Sequence, residues 1–222
     1  MNKKRKISDN LRVEDFKLGE ETWRVFRIMA EFVDGFHELS KIGPAVTIFG
    51  SARTARTHRW YQQAEKTAEL LVKEGYAVIT GGGPAIMEAS NKGASKAKGK
   101  SIGLNIDLPF EQKPNPYINH VINFHYFFCR KVMFVKYAKA FVIFPGGFGT
   151  MDELFESLTL IQTKRSERFP VVLFDTQYWS GLVEWLKKTV LVAKNIDPSD
   201  LDIFTIVDSP KDVIKKIRAF YK

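Results

Sequence analysis

Hydrophobic and polar positions along the chain alternate between two rhythms. Short apolar runs at Ala45–Phe49, Tyr76–Thr80, Ser101–Asn105, His120–Asn123, Phe141–Phe144, Pro170–Phe174 and Ile203–Val207 have the length of buried strands. Between them, apolar residues recur at helical spacing. Trp60–Lys73 places Ala64, Ala68, Leu71 and Val72 inward, and Gly75 is its stop signal. The stretch after Pro84 carries Ile86, Met87, Ala89, Ala94 and Ala97 in the same way. Phe127–Lys139, the run ending at Thr163, Tyr178–Lys194 and Pro210–Tyr221 complete the series. Strands alternating with helices predict an α/β fold, a doubly wound parallel sheet flanked by helices with right-handed crossovers. Residues 14–41 add a long leading helix. Its stripe of Phe16, Trp23, Phe26, Phe32 and Phe36 reads as core or subunit contact rather than a ligand box.

The punctuation between strand and helix carries the chemistry. The apolar run Phe141–Phe144 ends at Pro145, and Gly146, Gly147 and Gly149 free the backbone for a turn that exposes its N–H groups. Thr150 followed by Glu153 matches a capping box, predicting a helix that starts at Thr150. Free amides and the positive end of a helix dipole converge at such a turn, which makes it a phosphate site. A second unit has the same form. Tyr76–Thr80 runs into Gly81-Gly82-Gly83-Pro84, with Pro84 suited to the first helical turn. Two such loops suggest one ligand held from both sides. A third turn, Gly50-Ser51-Ala52-Arg53, follows the first strand at the carboxyl edge of the sheet, where ligands of parallel sheets sit. Arg53 either pairs with a phosphate or stacks on a base, or is a surface arginine beside a cap. Glu88 either meets a ribose hydroxyl or improves the first turn of its helix. Arg130 and Lys131 lie near a helix start, where cations oppose the dipole, so they invite an anionic partner or form a surface ion pair. The proline-rich stretch 106–119, which contains Glu111, reads as a lid.

Composition narrows the classes. A chain of 222 residues, 45% hydrophobic, fills one core, so residues 14–222 read as a single domain behind a flexible basic arm, 1–13. Lys3, Lys4, Arg5 and Lys6 in that arm fit a solvated tail better than a nucleic-acid or localisation signal. No apolar run approaches a membrane span, and no apolar segment follows the basic N-terminus. A single cysteine, Cys129, excludes an internal disulfide framework and suits a reducing cytoplasm. The net charge of +9 favours anionic partners without choosing between nucleotides and nucleic acid. Charge alone supports nucleic acid, and no aromatic–basic recognition motif accompanies it.

Several chemistries are missing. There is no Walker A loop, no confident G-x-G-x-x-G, no zinc-spaced histidine–cysteine set and no G-x-S-x-G elbow. What remains is a nucleotide-sized site with phosphate-binding turns, an acid, Glu153, and a cation, Arg130. That set suits cleavage of an N-glycosidic bond: a carboxylate stabilises an oxocarbenium-like sugar or activates water, and an arginine holds substrate charge.

The segments GGGPAIMEA (81–89), CRKVMFVKYAKAFVIFPGGFGTMDELFE (129–156) and LTLIQ (158–162) resemble the LONELY GUY (LOG) family, in wording closer to its bacterial branch. Its signature PGGxGTxxE is intact as Pro145–Glu153, and its RK pair as Arg130-Lys131. The resemblance implies a Rossmann-like fold. It also implies hydrolysis of AMP or a cytokinin riboside 5′-monophosphate to free base and ribose 5-phosphate, with no metal and no cofactor. Carried over by motif, Arg130 and Glu153 become the catalytic pair. Gly146, Gly147, Gly149 and Thr150 become the phosphate cradle, with Gly82 and Gly83 opposite. Lys131, Glu111 and Thr159 fall where the family contacts the nucleotide, and Ser51 and Arg53 join them from the first turn. Glu88 stands where plant members carry glycine. The family forms homodimers or assemblies of dimers, with sites near the interface. A pyridoxal-phosphate decarboxylase is disfavoured, since no lysine has an evident Schiff-base setting. Related folds include molybdenum-cofactor carriers, so a non-catalytic nucleotide or molybdenum-cofactor carrier remains the alternative.

Overall fold

The computed structural model describes residues 18–107 and 113–222. Among these residues, seven strands form one parallel sheet in the order β4-β3-β2-β1-β5-β6-β7. They are β1 Ala45–Phe49, β2 Ala77–Thr80, β3 Ser101–Ile106, β4 His120–Phe124, β5 Ala138–Ile143, β6 Val171–Phe174 and β7 Phe204–Val207. The helices are α1 Leu18–Leu39, α2 Arg59–Lys73, α3 Ile86–Lys96, α4 Phe127–Tyr137, α5 Phe148–Gln162, α6 Thr176–Trp185 and α7 Pro210–Phe220.

Side chains alternate across the sheet with a period of two, and this divides the core into two layers. From β5, Ala140 and Val142, with Phe144 just beyond it, face α2, α3 and α7, where Ala64, Ala68, Leu71, Ile86 and Val213 close the packing. Phe141 and Ile143 face the other way, against Phe134 of α4, Leu154 of α5 and Trp179 of α6. α2 and α3 pack close because Gly93 brings no side chain: a Cβ there would lie 2.0 Å from the Glu65 carbonyl oxygen. The doubly wound α/β expectation holds.

Some boundaries differ from the sequence reading, for local reasons. α3 begins two residues after Pro84, because Ala85 turns through φ 59° before the helix. β5 starts at Ala138 directly after α4, so that helix ends before Lys139. α6 starts at Thr176, where the Asp175 side chain accepts from the Tyr178 N–H, and it passes into a π-helical turn at Leu186–Val190. The core reading of the leading stripe fails for several members. Trp23 and Phe26 are 67% and 57% exposed, as is the neighbouring Val33 at 63%, while Phe32 packs on the core with Ile28 beside it. No helix among the described residues is long and apolar enough to cross a membrane. The basic arm 1–13 lies outside the described residues.

Sheet order reverses between β1 and β5, whose neighbours are β2 and β6. The crevice outside the carboxyl ends of two strands that diverge in this way is where an open α/β sheet binds its ligand. The turns after β1 and β5 meet there, with the turn after β2 on their flank.

Candidate active site

A cleft of about 720 Å³ opens at this reversal, within the range of small-molecule sites. The turn after β1 contributes Gly50, Ser51, Ala52 and Arg53, and the turn into α5 contributes residues 146–151 together with Glu153. Arg130 from α4 and Gly81 and Met87 from the second glycine unit complete the wall.

The two main turns are tied to each other by backbone. The Ser51 N–H donates to the Pro145 carbonyl at 3.0 Å, and the Ile86 N–H donates to the Ser51 carbonyl at 3.1 Å. Gly146 is required by this closeness, since a Cβ there would lie 2.1 Å from Thr150 Oγ1 and 2.9 Å from the Ser51 nitrogen. α5 starts at Phe148 with Gly147 as its N-cap, and no side chain caps it. The expected Thr150–Glu153 capping box is therefore absent. The glycines let the helix begin earlier, so Thr150 lies inside the first turn, buried against Gly146, and its N–H bonds to the Gly147 carbonyl. The consequence favours an anion: the amides of Gly147, Phe148 and Gly149 keep no acceptor among the described residues, at the positive end of a helix of 15 residues.

Glu153 follows one turn deeper. Its side chain is only 12% exposed, and its Oε2 is buried without a hydrogen-bond partner among the described residues. Oε1 lies 3.4 Å from the Lys131 ammonium. Burial, reinforced by the nearby Glu156 carboxylate, pushes the Glu153 carboxyl up to about 7, against the opposing pull of Lys131 and Arg130. A carboxyl poised near neutrality in a cleft suits acid–base work.

Arg130 is fixed by carbonyls. Its Nε donates to Leu104 at 2.8 Å and one terminal nitrogen donates to Gly81 at 3.2 Å. The guanidinium also lies over the Phe134 ring, 5.1 Å from its centroid. Gly81 has to be glycine for this, because a Cβ there would sit 2.4 Å from the guanidinium. Burial lowers Arg130 to about 10, so it stays cationic at neutral pH. Lys131 is not free for ligand in the same way. It pairs with Asp152 at 2.7 Å and Glu156 at 2.9 Å; burial would lower its ammonium, but these partners and the Glu153 charge outweigh that and hold it above the ordinary range.

The cleft thus gathers Ser51, Arg53, Arg130, Gly146, Gly147, Gly149, Thr150 and Glu153. Other expected residues fall outside its lining. Gly82 and Gly83 are buried with their carbonyls bound by Asn115 Nδ2 at 3.1 and 3.0 Å, so Gly81 takes the cleft-facing place. Glu88 is 6% exposed and saturated, accepting from the Tyr61 hydroxyl at 2.9 Å and from Arg56. Thr159 Oγ1 donates to the Phe155 carbonyl in its own helix. Glu111 lies outside the described residues. Sequence reasoning missed Met87, Met151 and Phe49 as lining residues, since apolar residues at helical and strand spacing look like core. It also missed Asn115, which no pattern distinguishes within its loop.

A family model described as possible lysine decarboxylase matches residues 87–217. A cytokinin riboside 5′-monophosphate phosphoribohydrolase of Arabidopsis thaliana is 32% identical over 92 residues, 41% of this chain and 42% of that protein. An enzyme of the same name from Mycobacterium tuberculosis is 25% identical over 155 residues, 68% of this chain and 82% of its own. For the plant relatives matched over 92 residues, the shared stretch spans only 36% to 42% of their length. Among solved structures, the molybdenum cofactor carrier protein of Chlamydomonas reinhardtii superposes with a TM-score of 0.56 at 20% identity, covering 80% of this chain and 98% of that one. That likeness shows the fold alone.

Proposed function

The chain belongs to the possible lysine decarboxylase family, and on that premise we propose that it hydrolyses the N-glycosidic bond of a purine nucleoside 5′-monophosphate. The products are the free base and ribose 5-phosphate. AMP is the first substrate to test, with cytokinin riboside 5′-monophosphates as the named substrates of the relatives. The observation that carries the reading is Glu153: a buried carboxylate with an unpartnered oxygen, one helical turn behind open amides suited to a phosphate.

In this reading the amides of Gly147, Phe148 and Gly149 receive the 5′-phosphate, and Arg130 supplies fixed positive charge beside it. The sugar then lies over Glu153. As the bond to the base breaks, the base leaves with the electron pair and takes up a proton. The ionised Glu153 stabilises the positive charge that grows on the sugar and orients the water that closes on its anomeric carbon, losing a proton. Lys131, tied to Asp152 and Glu156, acts as the charge that keeps Glu153 partly ionised at neutral pH. Glu111 and Thr159 retain a place in the proposal as outer contacts to the nucleotide. A second copy of the chain is the proposed cover for the exposed Trp23, Phe26 and Val33 of α1, since apolar surface of this kind marks interfaces. The cytoplasm is the proposed setting, consistent with one buried, unpaired cysteine.

The test is incubation of the purified, metal-free protein with AMP, following adenine and ribose 5-phosphate by chromatography. Release of both in equal amounts, lost in Glu153→Gln and Arg130→Ala, supports the reading. Intact AMP and intact alternative monophosphates, with ligand binding retained, would overturn it in favour of a carrier.

A further inference from the structure

Tyr178 stands outside the cleft lining yet touches the cradle. Its hydroxyl donates to the Gly146 carbonyl at 2.7 Å. We propose that Tyr178 is the positioning residue of the phosphate cradle, holding the Gly146–Gly147 peptide so that the Gly147 N–H faces the cleft. This rests on the phosphate-binding role proposed above for that turn.

Peptide geometry makes the link. In a trans peptide the carbonyl and the following N–H point to opposite sides, so a bond that fixes the Gly146 carbonyl also fixes the direction of the Gly147 N–H. The preceding carbonyl, Pro145, is held by the Ser51 N–H. Two consecutive carbonyls are therefore occupied by groups from different elements, while the amides that follow stay open. Between glycines, where the backbone has the widest choice of conformations, such external bonds decide which one is kept.

Tyr178 is itself held firmly. Its N–H donates to Asp175 Oδ1 at 3.1 Å, and its ring meets Trp60 edge to face at 5.6 Å. Asp175 Oδ2 accepts from Trp60 Nε1 at 2.6 Å and from the Arg59 guanidinium. Asp175 sits at φ 87°, a conformation costly for a residue with a Cβ, and it is 4% exposed. Convergent donors from α2 hold it there, and its own N–H bonds to the Val207 carbonyl at 2.8 Å. The strain is thus maintained by a network that ends on the cradle, at a residue that does not line the cleft.

Tyr178→Phe keeps the ring and its contact with Trp60 and removes only the hydroxyl. The dissociation constant of ribose 5-phosphate, by titration calorimetry on the full chain, should rise about fivefold, the worth of one ordinary hydrogen bond. KM for AMP should rise alongside, with kcat within about twofold and the thermal midpoint within about two degrees. An unchanged dissociation constant would overturn the proposal, as would a fall in kcat at constant KM. A midpoint lowered well beyond that range would assign Tyr178 a structural role instead. If the unmodified protein cleaves no monophosphate, the hydrolase reading fails, while the ribose 5-phosphate titration still decides the role of Tyr178. Absence of any ribose 5-phosphate binding by the unmodified protein overturns the phosphate cradle and with it the role of Tyr178.

Discussion

The two glycine turns that follow β2 and β5 look alike in sequence and end in opposite states. Each follows a buried strand, opens a helix, and places an acid within the first two turns, Glu88 in one and Glu153 in the other. After β2 the carbonyls and the acid are met: Arg130 binds the Gly81 carbonyl, Asn115 binds those of Gly82 and Gly83, and Tyr61 and Arg56 saturate Glu88. After β5 the acid differs: Glu153 keeps a buried oxygen with no partner among the described residues. A folded protein rarely leaves buried polar groups unmet. The turn that does so is the one read as functional, and the saturated one as its scaffold.

That contrast can be broken most sharply at the two acids. Glu153→Gln should lower kcat by roughly a thousandfold while the protein stays folded, within the range for a lost acid–base group. Activity retained in that variant would remove the distinction. The next effect is in pH. In the proposed mechanism Glu153 acts ionised, and burial pushes its carboxyl up to about 7, so kcat/KM should fall about tenfold per pH unit below that value. A flat profile from pH 5 to 8 would contradict it. Stability carries the opposite sign. The folded carboxyl binds its proton more tightly than the unfolded one, so stability falls as pH rises between 4.5 and about 7, by about 3 kcal/mol in order of magnitude. Denaturant titrations of the native protein and Glu153→Gln at pH 5 and pH 8 should show this loss only in the native protein.

Smaller effects refine the comparison. Gly146→Ala should raise KM roughly tenfold, because the new Cβ cannot share space with Thr150 and the Ser51 nitrogen, and the cradle must shift. Unchanged KM would mean that the turn relaxes at no expense to binding. Glu88→Ala should leave KM and kcat within about twofold and cost about 1–3 kcal/mol, since it strands the buried Tyr61 hydroxyl. Thermal unfolding reads that loss as a few degrees. A large loss of activity there would make Glu88 part of the chemistry and erase the asymmetry.

The legibility of the chain followed the range of the physics involved. Apolar runs such as Phe141–Phe144 and helical stripes such as Ala64–Ala68–Leu71 are local, and the strand and helix order read from them holds across the sheet. The α5 start was misplaced because a threonine–glutamate spacing looks like a capping box, whereas the glycines allowed the helix to begin at Phe148. The stripe on α1 reads as core or subunit contact without a choice between them, because periodicity reports amphipathicity, not what covers the apolar side.

By itself, the sequence determined the parallel α/β architecture, the three turns at its carboxyl edge and the pairing of an arginine with a glutamate as the chemistry to look for. Strand length, helix spacing and glycine content are properties of neighbouring residues, so a single chain displays them. Only the tertiary structure decided that β1 and β5 part company to open the cleft, that Gly81 rather than Gly82 faces Arg130, that Asn115 and Tyr61 silence one turn, and that Tyr178 reaches the other. Those outcomes depend on which groups find a partner across long stretches of chain, and hydrogen-bond valence is settled only when the whole fold has closed.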